Sequence, residues 1–225
     1  VSLMHDGERD FVFNRGADGQ LSIDDVDAIN LNNVGIIHFG SATGFLPGPL
    51  QAAYLHLLQK ALHHKIYISF DPNYRHLLFP NNTDSFVSQS WHFLRNCNFF
   101  KVSDEEAMLL TNTATLEDAT AFLLKETSGV FTITLGKDGT LLGLNGKQYI
   151  IESIPVKPVD TTGAGDAFVG AVLYQLSHLN DTTIQQLSLD EWNKIILNAN
   201  KAGARTCEYM GAMEAFKFLN NQIFQ

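Results

Sequence analysis

Apolar residues recur along the chain in two patterns, strand-sized runs and stretches at helical spacing. The run at 34–39, the helical spacing from Leu50 to His64 and the run at 66–70 follow one another as strand, helix and strand. This order is typical of a βαβ unit, so we predict an α/β fold with a parallel sheet whose ligands bind at the carboxyl ends of the strands. Asn145-Gly146 predicts a hairpin turn. The two patterns also predict strands at 99–102, 130–135, 141–144 and 147–151, and helices at 84–95, 115–127 and 189–206.

The segment 159–179 departs from these patterns because a glycine turn stands where a helix should begin. It reads V-D-T-T-G-A-G-D-A-F-V-G-A-V-L-Y-Q-L-S-H-L, with a strand-like approach from Ile150. Helical spacing then places four apolar residues on one stripe: Phe168, Val172, Leu176 and Leu179. A glycine turn that opens a helix leaves several backbone N–H groups without partners at the positive end of the helix dipole. The segment therefore predicts an anion site.

Asp166 places a carboxylate in the first turn of this predicted helix. Beside a bound phosphoryl group, such a carboxylate can accept a proton from an attacking hydroxyl. The alternative is that Asp160, Thr161 and Thr162 are turn residues and that Asp166 complements the helix dipole. Two glycines, two threonines and two aspartates within seven residues favour the functional interpretation.

Two better-known glycine loops do not fit this segment. A dinucleotide-binding fingerprint requires a third glycine where Phe168 stands, and G-x-x-x-x-G-K-[ST] does not occur in the chain. Instead, the run from Asp160 to Asp166 resembles the C-terminal signature of the ribokinase-like (PfkB) family of carbohydrate kinases. The resemblance implies that Asp166 is the catalytic base and that the amides of Gly163, Ala164 and Gly165 form the anion hole.

The family pattern can be followed from Val1 to about Ala215. It implies a three-layer α/β/α fold with a mostly parallel central sheet, divided into a small β lid at 1–23 and a kinase core at 24–225. The first residues, Val1 to Met4, read as the inside of a strand with no preceding turn. We therefore expect the N-terminal portion of the family pattern to be missing from this chain.

The predicted lid consists of two short strands at 1–4 and 10–13, joined by a turn at 5–8 that contains Asp-Gly. Phe11 and Phe13 alternate with Val12, which gives one aromatic face suited to covering a ligand or a partner chain. Such a lid suits a homodimer.

Arg15 follows the lid strands and precedes Ala17-Asp18. This arrangement resembles the substrate side of sugar kinases, although an ordinary strand edge with a solvated arginine explains the residues equally well. In 2-keto-3-deoxygluconate kinases an aromatic hydroxyl commonly precedes the lid arginine, whereas Phe13 and Asn14 stand here.

A second polar set, Asp71-Pro-Asn-Tyr-Arg75, follows directly after a predicted strand. Asp71, Asn73 and Arg75 supply an acceptor, an amide and a forked cation, which suit a polyhydroxylated substrate or a phosphate. An Asp-Pro-Asn turn alone needs no function. The stretch resembles the D-P-N-x-R segment of fructokinases and of 2-keto-3-deoxygluconate kinases, so these residues are expected to bind substrate.

Further nucleotide contacts follow from the resemblance alone. Ser103-x-x-Glu106 is a helix capping box, yet it falls where the family carries N-x-x-E, so Ser103 and Glu106 are expected near the nucleotide, with Glu106 orienting Mg²⁺-bound water. Asn200 matches a position that faces adenine, although the small residues beside it equally indicate close helix packing. By the same resemblance, Thr134 and Gly136 are expected to contact the nucleotide, and Asp160 and Thr162 a monovalent cation such as K⁺. Lys101 is a separate expectation that comes from position: it lies at the same strand end as Ser103 and is expected to approach the phosphates.

Composition excludes several classes of partner. The formal net charge is −9 and 17% of the residues are charged, which argues against nucleic acid or an anionic membrane as a partner. Cys97 and Cys207 lack C-x-x-C spacing, which indicates a reducing compartment and a cytoplasmic protein without a disulfide framework. No apolar run is long enough to span a bilayer.

These observations together predict an ATP- and Mg²⁺-dependent sugar kinase that is most like a fructokinase, with a small-molecule sugar and ATP as its ligands. A 2-keto-3-deoxygluconate kinase is the runner-up, because the carboxylate of its substrate would suit Arg15 and Arg75. A truncated chain that binds a nucleotide or a partner without turnover is the second alternative.

Overall fold

The computed structural model describes residues 2–3, 9–10, 14–220 and 222. These residues belong to two units, one that reaches Asn96 and one that starts at Cys97. The predicted boundary between lid and core, at 23 and 24, stays a prediction.

The first unit combines a short hairpin with one βαβ arrangement and two further helices. Its elements are β1 (Ser2–Leu3), β2 (Arg9–Asp10), α1 (Ile23–Asp27), β3 (Ile36–Gly40), α2 (Pro49–His63), β4 (Tyr67–Asp71) and α3 (Thr83–Leu94), with 3₁₀ turns at Ala17–Gln20 and His76–Leu78. Strands β3 and β4 are parallel, as predicted, and their register ends with Gly40 opposite Asp71. The C-terminal ends of the two strands, where ligands were predicted to bind, therefore meet at Asp71.

Aromatic packing holds the first unit together. Phe39 of β3 and Phe70 of β4 both lie 5.1 Å, centroid to centroid, from Phe93 of α3. Phe45 packs against the same ring, and all four side chains are buried. Each fully buried phenylalanine contributes about 1.5–3 kcal/mol to stability. This cluster fixes the strand that carries Asp71.

The second unit contains four strands and five helices among its described residues. Its elements are β5 (Phe99–Ser103), α4 (Asp104–Thr111), α5 (Leu116–Glu126), β6 (Val130–Thr134), β7 (Thr140–Leu144), β8 (Lys147–Ile151), α6 (Ala164–Leu176), α7 (Asp181–Gln185) and α8 (Leu189–Thr206), with 3₁₀ turns at Gly136–Asp138 and Glu214–Lys217. Strands β5 and β6 are parallel, whereas β7 pairs antiparallel with both β6 and β8. The hairpin predicted at Asn145-Gly146 is confirmed, because both residues have positive φ, 51° and 72°.

Helices α6 and α8 pack closely on each other in the second unit. A Cβ built on Gly203 of α8 would lie 3.0 Å from the carbonyl oxygen of Ala164 in α6. Trp192 of α8 stacks on Phe99 of β5 with ring centroids 6.0 Å apart. The absence of a side chain at Gly203 therefore lets the start of α6 approach α8 closely, so the close-packing interpretation applies to this residue.

Two local predictions differ from the structure, and one helix was not predicted. Residues 152–158 have no regular structure, so the strand-like approach to the glycine turn ends at Ile151, because Pro155 and Pro158 lack the N–H group that a strand ladder needs. Helix α6 ends at Leu176, and Leu179 therefore lies beyond it. Helix α7 was not predicted from the sequence.

The lid prediction is tested only in part. Strands β1 and β2 pair antiparallel, with Ser2 opposite Asp10, which agrees with a hairpin at this end of the chain. The predicted turn at 5–8 and the aromatic face of Phe11, Val12 and Phe13 lie outside the described residues. No helix within the described ranges is both long enough and apolar enough to cross a bilayer.

Candidate active site

The glycine turn has the backbone geometry that the sequence predicted. Gly163 is the N-cap of α6 and has φ 81°, a left-handed conformation that favours glycine. A Cβ at this position would lie 2.7 Å from the Cβ of Ala212. Both the backbone angle and the space therefore require glycine at the start of α6.

We expect Gly163→Ala to lower the free energy of unfolding by about 2–4 kcal/mol, since it combines a left-handed alanine with a collision. Gly170 lies in the same helix, has no atom within 4 Å of a built Cβ and has no positive φ. Gly170→Ala should therefore raise stability by about 0.5–1 kcal/mol. Urea unfolding of both variants provides the measurement, and equal effects of the two substitutions would contradict this account of the turn.

The backbone N–H groups at the start of α6 differ in whether they have a hydrogen-bond acceptor. The N–H of Ala164 donates to the carbonyl of Thr161 at 3.3 Å, which closes the turn. Within the described part of the chain, the N–H groups of Gly163, Gly165 and Asp166 have no hydrogen-bond acceptor. Of the three predicted anion-hole amides, that of Ala164 therefore has a partner in the turn, whereas those of Gly163 and Gly165 do not. The Asp166 amide, which was not predicted, is also without an acceptor there, and the anion contact of these amides stays a prediction.

Lys101 brings a cation to the same place. Its side chain is 8% exposed, and its Nζ lies 3.2 Å from the position that a Cβ on Gly165 would occupy. An ammonium group beside the positive end of a helix concentrates positive charge there. This arrangement can stabilise an anion, so the structure places the predicted phosphate contact next to the predicted anion hole.

Asp166 lies in the first turn of α6 and is exposed. Among the residues that the structure describes, none donates a hydrogen bond to its carboxylate. The carboxylate is therefore exposed and accepts no hydrogen bond there, but Asp166 does not line the cavity described below, and its role as a general base stays a prediction.

A cavity of about 740 Å³ adjoins the start of α6, entirely within the second unit. Its volume lies within the range of about 300–1,000 Å³ that is usual for small-molecule sites. One face of α8 forms a wall through Asn200, Gly203, Ala204 and Cys207, which recur at helical spacing. The other walls are Ala164, Gly165 and Phe168 of α6, Thr134 with the turn at 136–140, and residues 153–156 and 158.

Three predicted nucleotide contacts, Thr134, Gly136 and Asn200, line this cavity. Asn200, however, is 6% exposed and is hydrogen-bonded within the protein. Its Oδ1 accepts from the hydroxyl of Thr140 at 2.6 Å, and its Nδ2 donates to the carbonyls of Ile151 and Glu152, both at 3.1 Å. Both amide hydrogens are therefore used before any ligand binds.

The capping box at Ser103 and Glu106 is confirmed. The Ser103 hydroxyl accepts from the Glu106 amide at 3.1 Å, and the Glu106 carboxylate accepts from the Ser103 amide at 2.9 Å. Neither residue lines the cavity, and their contact with a nucleotide stays a prediction. Within the described ranges, no three His, Cys, Asp or Glu side chains form a cluster that could hold a metal ion.

Asp160 lies at the centre of a compact loop. Its Oδ1 accepts from the amide and the hydroxyl of Thr162 at 2.9 and 2.7 Å, and its Oδ2 accepts from the amide of Gly211 at 2.8 Å. The contact with Gly211 joins residues far apart in sequence, and it was not predicted. The segment after α8, which also presses Ala212 against Gly163, is thus part of the site.

The substrate-side residues of the first unit have local partners. Asp71 ends β4 and is 4% exposed, and its Oδ1 accepts from the Asn73 amide at 3.0 Å. Asn73 has φ 47°, and the guanidinium of Arg75 donates to the carbonyl of Tyr74 at 3.0 Å. These bonds form an ordered turn at the strand end, and the substrate contacts of the three residues stay predictions.

Arg15 and Asp18 form an ion pair in the first unit. The Arg15 Nε donates to the Asp18 carboxylate at 2.8 Å, and so does the amide of Gly16. The hydrogen bond from Gly16 and the nearby guanidinium hold the pKa of Asp18 below its ordinary value. Arg15 is therefore partly committed to its neighbour.

Comparison with known proteins places this site in a family. The family model of pfkB family carbohydrate kinases matches residues 1–217. The probable fructokinase-2 of Arabidopsis thaliana is 31% identical over 233 residues, which cover 99% of this chain and 69% of that protein. The chain spans about two thirds of the length of the relatives it matches.

Two solved structures resemble the chain along most of its length. The first is aminoimidazole riboside kinase from Salmonella enterica, complexed with aminoimidazole riboside and an ATP analogue. Its TM-score is 0.78 at 29% identity, and the matched region covers 90% of this chain and 65% of the kinase chain. Fructokinase from Vibrio cholerae O395, bound to fructose, ADP and a calcium ion, has a TM-score of 0.75 at 29% identity, with coverages of 89% and 65%. These matches confirm the ribokinase-like fold and the carbohydrate-kinase class that the signature implied. The chain belongs to the pfkB family of carbohydrate kinases.

Proposed function

We propose that this chain transfers the γ-phosphate of ATP to a sugar hydroxyl and that its substrate is D-fructose, which becomes fructose 6-phosphate. The observation that carries the proposal is the start of α6, where unpaired amides, a buried lysine and an exposed carboxylate lie together and where Ala164 and Gly165 line a cavity of about 740 Å³. Phosphoryl transfer needs little more from a protein than positioning, charge stabilisation and a proton acceptor.

Each part of this arrangement has one role in the proposed reaction. Asp166 accepts the proton of the sugar hydroxyl as that hydroxyl attacks the γ-phosphorus. The amides of Gly163, Gly165 and Asp166 stabilise the charge on the transferred phosphoryl oxygens, and Lys101 adds a full positive charge beside them. The cavity walls hold the nucleotide so that its terminal phosphate faces the amides.

Mg²⁺ is proposed to arrive with the nucleotide. The ion would neutralise the charge of the phosphates. Mg²⁺ in such sites is usually bound by only one or two protein carboxylates, and the described part of the chain contains no cluster of three possible ligands. Glu106 is proposed to act through a metal-bound water. Asp160 and Thr162 are proposed to lie near a monovalent cation such as K⁺, whose charge would offset the buried carboxylate.

Fructose is favoured over 2-keto-3-deoxygluconate by two observations. One named relative is the probable fructokinase-2 of Arabidopsis thaliana, and the fructokinase from Vibrio cholerae was solved with fructose. In addition, Arg15 is paired with Asp18, which reduces its capacity to bind a substrate carboxylate. A chain that binds nucleotide without turnover remains the second alternative.

Steady-state kinetics of the purified chain with Mg²⁺-ATP test the proposal. We expect kcat/KM for D-fructose to exceed that for 2-keto-3-deoxygluconate at least about tenfold, equivalent to about 1.4 kcal/mol in transition-state binding. The opposite order would establish the runner-up substrate. Nucleotide binding without phosphoryl transfer to either compound would support the non-catalytic alternative.

The proposed cation site is tested by the salt that is present. Turnover in potassium chloride should exceed turnover in tetramethylammonium chloride, and equal rates would refute the cation site.

A further inference from the structure

Residues 152–158 cross the cavity as a strap that is attached to α8 at both ends. At the first end, Asn200 donates to the carbonyls of Ile151 and Glu152. At the second end, the amides of Val159 and Asp160 donate to the carbonyl of Cys207 at 2.7 and 3.1 Å. Cys207 is the C-cap of α8, so both attachments are on the same helix.

The length of the strap explains the cavity beneath it. Residues 200 and 207 are seven positions apart, which is about 10 Å along a helix axis. The chain from 151 to 159 could extend to about 26 Å. The strap therefore has enough slack to leave space between itself and α8, and its residues Ile154, Pro155 and Val156 line the cavity together with Ala204 of α8.

Asn200 is the side chain that holds the first end. The strap has no regular structure, and Pro155 and Pro158 cannot donate backbone hydrogen bonds. The Thr140 hydroxyl, which is fully buried, fixes the orientation of the Asn200 amide by donating to its oxygen. With this orientation both amide hydrogens point to strap carbonyls.

We propose that Asn200 is a positioning residue that sets the width of the nucleotide cavity by holding the strap to α8, and that it does not recognise the base through its amide hydrogens. This inference rests on the proposed function only where it concerns the nucleotide. The attachment of the strap stands on the hydrogen bonds alone.

Hydrogen–deuterium exchange of the nucleotide-free protein tests the attachment. In Asn200→Ala we expect the amides at the other end of the strap, those of Val159 and Asp160, to exchange about 10–100-fold faster, because they donate to Cys207 and the strap is then no longer held by Asn200 at its first end. Thr140→Val keeps both donors and should give a smaller increase. Asn198→Ala is the matched control, since Asn198 lies on α8, bonds to Gln175 and does not line the cavity.

Unchanged hydrogen exchange of the Val159 and Asp160 amides in folded Asn200→Ala protein would overturn the proposal. If Asn200→Ala does not fold, Asn200→Leu serves instead, since leucine is close to asparagine in shape, fills the same space and has no donor.

Nucleotide binding separates positioning from base recognition. Calorimetry with ATP and with 1,7-dideazaadenosine triphosphate, which lacks the ring acceptors N1 and N7 that an amide hydrogen would bind, should show that Asn200→Ala weakens both ligands by the same factor, about 10-fold or more. At saturating nucleotide kcat should stay near that of the unmodified chain. A selective loss of ATP affinity would instead identify Asn200 as a base contact and refute the inference. If the unmodified chain binds neither triphosphate, the proposed function fails, while the exchange experiment still decides the role of Asn200.

Discussion

Asp166→Asn should lower kcat by about 10²–10⁴-fold while the affinity for ATP stays nearly unchanged, because the substitution removes a proton acceptor and little else. Asparagine has almost the same shape as aspartate, and the Asp166 carboxylate accepts no hydrogen bond within the described chain that the change would break. The backbone N–H of residue 166 remains, so the amide cradle at the start of α6 is retained. Single-turnover and steady-state assays with fructose measure the loss.

A matched variant separates proton transfer from helix electrostatics. Asp190 is also an exposed aspartate in the first turn of a helix, α8, and it lies outside the cavity and the capping box of that helix. Asp190→Asn makes the same charge change in the first turn of a helix, one position closer to the helix start, and should leave kcat within about twofold. Undiminished turnover in Asp166→Asn would end the assignment of this carboxylate as the base, and so would equal losses in the two variants.

Local patterns predicted the elements that carry the site. Strands β5, β6, β7 and β8 lie within about one residue of their predicted bounds, and α8 spans the predicted residues. The capping box at Ser103 and the hairpin at Asn145-Gly146 are also confirmed. All of these are signals in which a residue and its neighbours within about four positions determine the outcome. The glycine turn belongs to the same class, since its φ depends on the residue itself.

The contacts that complete the site join residues too far apart for such signals. The Asp160 carboxylate accepts from Gly211, and the Lys101 ammonium lies beside Gly165. The periodicity of each segment is compatible with many partners, and only the packed fold selects one. Asn200 is an example. From the sequence this asparagine could equally contact a base or hold two segments of the protein together, and its three hydrogen-bond partners are known only from the fold. Nothing in the residues around Gly211 identifies Asp160 as the group that its amide contacts.

Lys101→Met should lower kcat/KM by about 10²–10³-fold, the scale of losing one strong donor from a preorganised anion site. Methionine is similar to lysine in length and volume, so packing against Gly165 should persist while the positive charge disappears. The loss should appear mainly in kcat, because the charge on the phosphoryl oxygens changes as transfer proceeds.

Lys147→Met, at an exposed position of β8 outside the cavity, makes the same substitution as a control and should behave like the unmodified chain. Thermal unfolding of both variants must accompany the kinetics. A large fall in the melting temperature of Lys101→Met with unchanged kcat/KM would assign Lys101 to the fold, whereas a large loss of kcat/KM in a stable variant would place its ammonium group on the transferred phosphate.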